Sequence, residues 1–149
     1  MAVKANAYGH GSVGIARAAL KAGVDALAVA TAEEGAELRA SGIAAPIILF
    51  GLPLPEEIGE IIENDIQPFV ADAGLARAFD SEARKRGKVL PVHLKVDIGM
   101  GRLGVGPEEL LPLAREVSAL SGLRVGGVCT HFPAAAVGAA PSIVAAPRP

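Results

Sequence analysis

Short apolar runs and longer amphipathic segments alternate along the chain as far as about residue 132. The apolar runs are rich in Val, Ile and Leu, and the segments between them repeat their apolar positions with a helical period. This alternation is typical of repeated β/α units and a parallel sheet. The predicted strands are Ala2–Val3, Ala26–Ala30, Pro46–Phe50, Ile66–Val70, Val89–Asp97 and Leu123–Cys129, and the predicted helices are Ser12–Ala22, Ala32–Ala40, Pro55–Ile62, Asp72–Arg86 and Pro107–Ala119.

Several predicted helices carry start or stop signals. The predicted N-cap residues are Ser12 and Asp72, and the first-turn prolines are Pro55 and Pro107. The C-terminal glycines are Gly23, Gly42 and Gly87. Six strands alternating with five helices fit either an open doubly wound sheet or part of a (β/α)8 barrel. A whole barrel takes about 250 residues. We therefore expect a chain of 149 residues to hold only part of one, with both ends cut.

The composition narrows the kind of protein. Hydrophobic residues make up 51% of the chain and charged residues 20%, which favours a folded domain over disorder. The net charge of −2 gives no basic stripe for nucleic acid, and no apolar stretch is long enough for a membrane helix. The single cysteine and the lack of a secretory signal predict a cytoplasmic protein, whose default chemistry involves a small molecule.

The fifth predicted strand alternates apolar with ionisable residues. The apolar set is Val92, Leu94 and Val96, and the ionisable set is His93, Lys95 and Asp97. In a barrel the apolar set would face the helices and the ionisable set the interior. Because buried charge is costly unless it is paired or used, the pattern indicates either a polar interior near a site or a structural Lys–Asp pair.

Three more candidates directly follow predicted strands, where active sites lie in this fold class. Arg102 lies in the glycine-rich loop "DIGMGRLGVG", His131 follows the sixth strand, and Lys4 follows the first. Lys4 is either an ordinary surface lysine or a partly desolvated amine that can attack a carbonyl. The start of the helix at Ser12 would favour an anion nearby.

Two other arrangements are weaker. Cys129 shares a strand face with His131, but about 7 Å along a strand is too far for an ion pair that activates a thiol, so we expect Cys129 in the core. A zinc site from His10, His93 and His131 is not expected, because the usual short ligand spacings are absent.

Three motifs together resemble a known family. "AVKANAYGHG", "HLKVDIGMGRLG" and "GVCTHF", in this order and at these separations, closely resemble the N-terminal barrel domain of the alanine racemases. The opening "VKAN" is shared by related fold-type III decarboxylases, and "AYGHG" favours the racemases. The resemblance runs from Ala2 to about Phe132. It implies an α/β fold, a partial (β/α)8 barrel, and an isomerase that uses pyridoxal 5'-phosphate to interconvert L- and D-alanine for peptidoglycan precursors.

The resemblance also implies roles for five residues. Lys4 would form a Schiff base with pyridoxal phosphate and act as one of two acid/base residues at the substrate Cα, and Tyr8 would reach toward the cofactor phosphate. Arg102 would hydrogen-bond the phenolic oxygen of the cofactor and help hold the substrate carboxylate. Lys95 falls where many members carry a carbamylated lysine that orients this arginine. His131 resembles a histidine near the cofactor ring, and no metal is implied.

The chain also departs from the family pattern. The family's second base is a tyrosine in a C-terminal β domain, delivered across a homodimer interface, whereas the only tyrosine here is Tyr8. The last barrel strands and the family arginine that faces the pyridine nitrogen are missing. Residues 133–149 form a tail rich in Ala and Pro that we expect to be unstructured, after a partial barrel over residues 1–132.

Two functional hypotheses follow. The first is a fragment of an alanine racemase that has little or no activity by itself. The second is a non-catalytic domain of the same fold that binds pyridoxal phosphate, or another protein through its open sheet edges. Racemases that prefer serine or accept a broader range of amino acids share the same motifs, and alanine is the best single choice of substrate.

Overall fold

Five parallel strands lie side by side in the order in which they occur along the chain. The computed structural model describes residues 1–133. The strands are β1 (Leu27–Val29), β2 (Ile47–Leu49), β3 (Ile66–Val70), β4 (Leu90–Lys95) and β5 (Leu123–Cys129). A doubly wound sheet would reverse its direction of growth, whereas here every strand adds to the same edge. The partial barrel is therefore confirmed, and the doubly wound alternative is wrong.

Helices connect the successive strands. They are α1 (Lys4–Gly9), α2 (Ser12–Lys21), α3 (Ala32–Ala40), α4 (Ile58–Glu63), α5 (Ala73–Lys85) and α6 (Pro107–Ser118), with a 3-10 turn at Pro55–Glu57 before α4. The five predicted helices are present with small shifts at their ends. The predicted first strand is reduced to one parallel bridge between Ala2 and Ala28, and the helical segment α1 was not predicted.

The predicted helix ends are confirmed with one exception. The N–H of Leu75 donates to the Asp72 carboxylate at 2.8 Å, which makes Asp72 a true N-cap. The three predicted C-terminal glycines all have positive φ. The prediction for Ser12 is wrong, because Gly11 is the N-cap residue of α2. The N–H of Ser12 donates instead to the side-chain oxygen of Asn6 at 2.7 Å, so a residue from the preceding turn caps this helix.

The core lies between the sheet and the helices. Leu27, Ile47, Ile66 and Leu94 line it from the strands, and Phe79 fills it from α5, each fully buried. Burial of a side chain of this size contributes about 1.5–3 kcal/mol. Packing of one face of each helix against the sheet therefore holds the layers together.

Arg39 ties two loops together at the amino end of the sheet. From the last turn of α3, its guanidinium donates to the carbonyl oxygens of Ile43 and Ala45 at 2.8 and 2.7 Å. It also donates to those of Asn64 and Asp65 at 2.8 and 3.0 Å. Burial lowers the pKa of Arg39, and the charge of Asp65 opposes that shift. These contacts fix the entry into β2 and β3.

The outer edge of β5 has no strand partner within residues 1–133. Val128 on this strand is 56% exposed. No helix in the described part of the chain is long and apolar enough to cross a membrane. The predicted tail, residues 133–149, lies outside the described residues apart from Pro133.

Candidate active site

A cavity of about 180 Å³ opens at the carboxyl ends of β2 to β5. Its lining combines cationic, aromatic and small polar side chains: Phe50, Phe69, Lys95, Arg102, Leu103, Cys129, Thr130 and His131. The rings of Phe50 and Phe69 are stacked, with centroids 5.4 Å apart. Three of the five predicted site residues, Lys95, Arg102 and His131, therefore meet in one place. The carboxyl ends of parallel strands share one rim, which is why residues far apart in sequence converge here.

Lys95 is the most buried cation of this cavity, with 7% of its surface exposed. Its Nζ lies 5.5 Å from the centroid of the Phe69 ring, within range of a cation–π contact. Burial lowers the pKa of Lys95, the charge of Arg102 adds to the shift, and Cys129 and Asp97 oppose it. Among the described residues Lys95 forms no ion pair with Asp97, so the structural Lys–Asp pair is not what the alternating pattern encodes.

Asp97 instead anchors the glycine-rich loop. The backbone N–H groups of Gly99 and Met100 donate to its Oδ1 at 2.9 and 2.7 Å, and that of Arg102 donates to Oδ2 at 3.0 Å. These hydrogen bonds, led by that of Gly99, hold the pKa of the Asp97 carboxyl below its usual range. The carboxylate thus fixes the backbone from which the exposed Arg102 side chain projects toward the cavity.

The loop also returns tightly to the end of β4. The N–H of Val105 donates to the carbonyl of Lys95 at 2.9 Å, and the N–H of Asp97 donates to the carbonyl of Val105 at 2.8 Å. Gly104 has φ +123°, and a Cβ there would come within 2.6 Å of the backbone nitrogen of Asp97. Only glycine permits this approach. Gly104 is therefore required for closure of the loop.

Cys129 and His131 belong to the same rim. Cys129 is half-buried and lines the cavity, so the expectation of a core cysteine is wrong. Cys129 lies at the end of β5, where its side chain faces the cavity and not the hydrophobic core. Burial raises the pKa of the Cys129 thiol, and the charge of Lys95 opposes the shift. His131 is exposed, two residues beyond β5.

Lys4 lies on the same rim, but neither Lys4 nor Tyr8 lines this cavity. Lys4 directly follows Val3, whose N–H donates to the carbonyl of Ala28 at 2.8 Å, and so it stands beside the carboxyl end of β1. Tyr8 is 62% exposed and lines a separate cavity with Met1, Ala2, Ala7, His10 and Ile15. The structure therefore groups the predicted residues into two neighbourhoods: the lysine loop (Lys4–Gly9) near β1, and the cavity near β4 and β5.

The lysine loop has an unusual backbone. Four residues without a glycine among them, Ala5 to Tyr8, have φ between 50° and 55° and ψ between 36° and 51°. This is one turn of left-handed helix, a conformation that costs an L-residue about 1–2 kcal/mol each. Sequence reasoning missed it, because a positive φ is expected at glycine or asparagine and only Asn6 gave such a signal.

His93 lies deeper in the barrel interior than the cavity. Its Nε2 is 2.8 Å from the side-chain oxygen of Gln67, and the ring meets Phe69 edge-on. A Cβ at Gly127 would come within 3.0 Å of Nδ1, so the glycine makes room for the ring. Burial lowers the pKa of His93, and the charge of Arg124 lowers it further. The predicted inward face of β4 is therefore confirmed for His93 and Lys95.

A parallel β/α sheet wound as part of a barrel, with cationic side chains gathered at the carboxyl ends of its strands, is typical of (β/α)8-barrel enzymes. The family model described as alanine racemase, N-terminal domain, matches residues 1–144. The chain belongs to this family, as its motifs predicted.

Known relatives agree with this membership. The alanine racemase of Treponema denticola is 48% identical over 130 residues, which cover 87% of this chain and 34% of that protein. The alanine racemase of Clostridium difficile 630 has a similar structure, with a TM-score of 0.85 and 39% identity over 88% of this chain and 35% of that chain. The histidine racemase of Leuconostoc mesenteroides subsp. sake matches with a TM-score of 0.80 and 31% identity, over 88% of this chain and 36% of that chain. This chain spans about a third of the length of these relatives.

Proposed function

We propose that this chain carries the lysine half of an alanine racemase active site, with Lys4 as the attachment point for pyridoxal 5'-phosphate. The observation that carries the proposal is the meeting of Lys95, Arg102 and His131 in one cavity on the same rim as Lys4, in a member of the alanine racemase family. Sites of barrel enzymes lie on this rim.

The residues of the cavity fit this cofactor. Pyridoxal phosphate is planar, aromatic and anionic, and it carries an aldehyde. The stacked rings of Phe50 and Phe69 offer an apolar aromatic wall, and Arg102 and His131 offer hydrogen-bond donors for anionic oxygens. At about 180 Å³ the cavity is smaller than most ligand sites, which take about 300–1,000 Å³. We infer that chain present in the longer relatives completes the enclosure.

Each residue has a distinct task in this proposal. Lys4 would hold the cofactor covalently through its Nζ, at the carbon that carries the aldehyde in free pyridoxal phosphate. When bound, the cofactor supplies an electron sink for the α-carbon of the amino acid. Lys4 Nζ then removes or returns the α-proton on one face of the substrate. The planar guanidinium of Arg102 can hold a carboxylate through two parallel hydrogen bonds.

We propose that Lys95 orients Arg102 after the lysine amine has been carbamylated. Its lowered pKa increases the fraction of neutral amine, which is the form that reacts with carbon dioxide. The reaction forms an N–C bond, releases a proton and replaces the buried cation by an anion. That anion would pair with the nearby guanidinium of Arg102 instead of repelling it. An inward lysine beside an arginine is then stabilising.

Racemisation needs a second base on the opposite face of the substrate. In the family this is a tyrosine, and the only tyrosine here, Tyr8, lies on the lysine loop itself. We therefore expect no rapid interconversion of alanine enantiomers by this chain alone, and expect turnover in a homodimer of full family length. Alanine is the proposed substrate on the strength of the family. The histidine racemase has the same fold, so the fold by itself does not select the amino acid.

Covalent capture of the cofactor tests the proposal. The chain is incubated with pyridoxal phosphate, reduced with borohydride, and digested for peptide mass spectrometry. We expect the pyridoxyl mass on Lys4, saturating at low cofactor concentration, and its loss in Lys4→Ala. Lys21, exposed on α2, is the matched control, and its replacement by alanine should change nothing. Equal labelling of all exposed lysines would refute the proposal and favour a non-catalytic interaction domain.

A further inference from the structure

We propose that Glu34 is a positioning residue for Lys4, because its carboxylate ties the backbone of the lysine loop to the end of β1. Oε1 accepts the backbone N–H of Ala5 at 2.7 Å, and Oε2 accepts that of Ala30 at 2.7 Å. Ala5 directly follows Lys4, and Ala30 directly follows β1. One side chain therefore joins the two pieces of backbone that set where Lys4 stands on the rim.

Glu34 is itself held in place by the start of α3. Its backbone N–H donates to the hydroxyl of Thr31, the N-cap residue, at 3.3 Å. The carboxylate then reaches back across the first turn to the two amides. Short hydrogen bonds from backbone N–H groups to a carboxylate are charge-assisted and stronger than neutral ones. The anchor is thus a strong acceptor on a rigid element.

The left-handed turn needs such an anchor. A strained backbone persists only where the surrounding structure over-determines it. Within the described residues, Glu34 provides the only side chain from beyond residue 12 that hydrogen-bonds to residues 4–9. The remaining hydrogen bonds of this turn come from its own neighbours, such as Ser12 to the side chain of Asn6. Without the carboxylate, the turn would lose the hydrogen bonds that help to fix its left-handed conformation and its position beside β1.

A conservative substitution separates this role from simple occupancy of space. In Glu34→Gln the side chain keeps its size, but one oxygen becomes an NH₂ group, a donor that faces a backbone donor. Only one of the two amides can then be satisfied. Glu33→Gln is the matched control, because Glu33 lies in the same turn of α3 and is exposed.

The inference rests on the proposed function of Lys4, and the test has one arm that is independent of the cofactor. In the full chain, amide hydrogen exchange at Ala5 and Ala30 is followed by NMR, with Leu94 in β4 as the internal reference. We expect exchange at one of these two amides to rise about tenfold or more in Glu34→Gln, the scale of one lost charge-assisted hydrogen bond. Exchange at Leu94 should stay the same, which shows that the fold is intact. Glu33→Gln should match the original chain at all three amides.

The second arm measures the position of Lys4 by its reaction. Borohydride trapping with pyridoxal phosphate gives the ratio of labelling at Lys4 to labelling at the exposed Lys21 in the same molecule. We expect this ratio to fall about tenfold in Glu34→Gln and to stay unchanged in Glu33→Gln.

The two arms distinguish the ways in which the inference can fail. Unchanged exchange at both Ala5 and Ala30, or an unchanged labelling ratio, overturns the positioning role of Glu34 while leaving Lys4 as the attachment point. If the original chain shows no preference for Lys4, the proposed function fails and the positioning role fails with it. In that case the exchange arm still reports whether the carboxylate holds the turn.

Discussion

The left-handed turn after Lys4 makes a prediction whose sign depends on the handedness of the backbone. Ala5 and Ala18 are both exposed alanines in helical segments, but Ala5 has φ +50° and Ala18 lies in the right-handed helix α2. Replacement by glycine removes only a methyl group at either site. Ala5→Gly also keeps the backbone N–H that donates to Glu34. The two variants therefore form a matched pair that differs in backbone conformation.

The expected free-energy changes have opposite signs. A left-handed conformation costs an L-residue about 1–2 kcal/mol, and glycine relieves that cost. Glycine also gives the unfolded chain more freedom, which costs about 0.4–1 kcal/mol. Ala5→Gly should therefore raise the free energy of unfolding by about 0.5–1 kcal/mol. Ala18→Gly should lower it by about 1 kcal/mol, the usual effect of glycine in a helix interior.

Urea denaturation followed by circular dichroism measures both changes against the original chain. A separation of about 1.5–2 kcal/mol between the variants is well above the error of such a comparison within one series. If Ala5→Gly destabilises the chain as much as Ala18→Gly does, the segment is not left-handed and the reasoning is refuted. An unchanged slope with denaturant is the control for two-state unfolding in each case.

Three further predictions concern the rest of the domain. Arg39→Met removes four hydrogen bonds to loop carbonyls and should lower the free energy of unfolding, measured in urea, by about 2–4 kcal/mol. The control Arg17→Met removes one exposed hydrogen bond and should lower it by less than about 1 kcal/mol. Equal effects would show that Arg39 does not hold the two loops. The pKa of His93 is lowered in the folded state, so the folded chain binds this proton less readily than the unfolded chain does. The free energy of unfolding should therefore be highest above about pH 6.5 and fall below it by at most about 1.4 kcal/mol per pH unit. His93→Gln should flatten this slope in urea titrations between about pH 5 and 7, and an unaltered slope would contradict the role of His93. With ¹³C-labelled bicarbonate, Lys95 should give a carbamate NMR signal that is lost in Lys95→Arg, and a signal that persists in the variant would place the modification elsewhere.

Much of the site could be read from residue patterns because it lies on regular elements. Strict alternation along β4 put His93 and Lys95 on the inner face, since successive side chains of a strand point to opposite sides. Arg102 and His131 were predicted on one rim, because loops after parallel strands meet at the same end. The roles that the family gives to Lys4 and Tyr8 remain predictions, and the structure adds that these two residues lie beside β1, apart from the cavity.

The incorrect predictions for Asp97 and Ser12 share a physical cause. The alternative in which Asp97 pairs with Lys95 is wrong, because Asp97 accepts three backbone N–H groups of its own loop. Sequence spacing does not reveal which of these two acceptor roles a carboxylate takes. Ser12 was predicted as an N-cap residue, but its backbone N–H donates to the side chain of Asn6, which lies in the preceding turn and caps the helix start. Each outcome was decided by competition between polar groups that only the folded chain brings together.

The sequence by itself determined the order and type of the elements, the inward face of β4, and membership of a family through three motifs. These features depend on periodicity and on local chemistry, which are properties of neighbouring residues. Only the tertiary structure decided that the lysine loop turns left-handed, that Glu34 holds its backbone to the end of β1, and that Phe50 and Phe69 stack in the cavity. Those features depend on contacts between residues far apart in sequence, and the free energy of such contacts can outweigh the local preference of an alanine for the right-handed region.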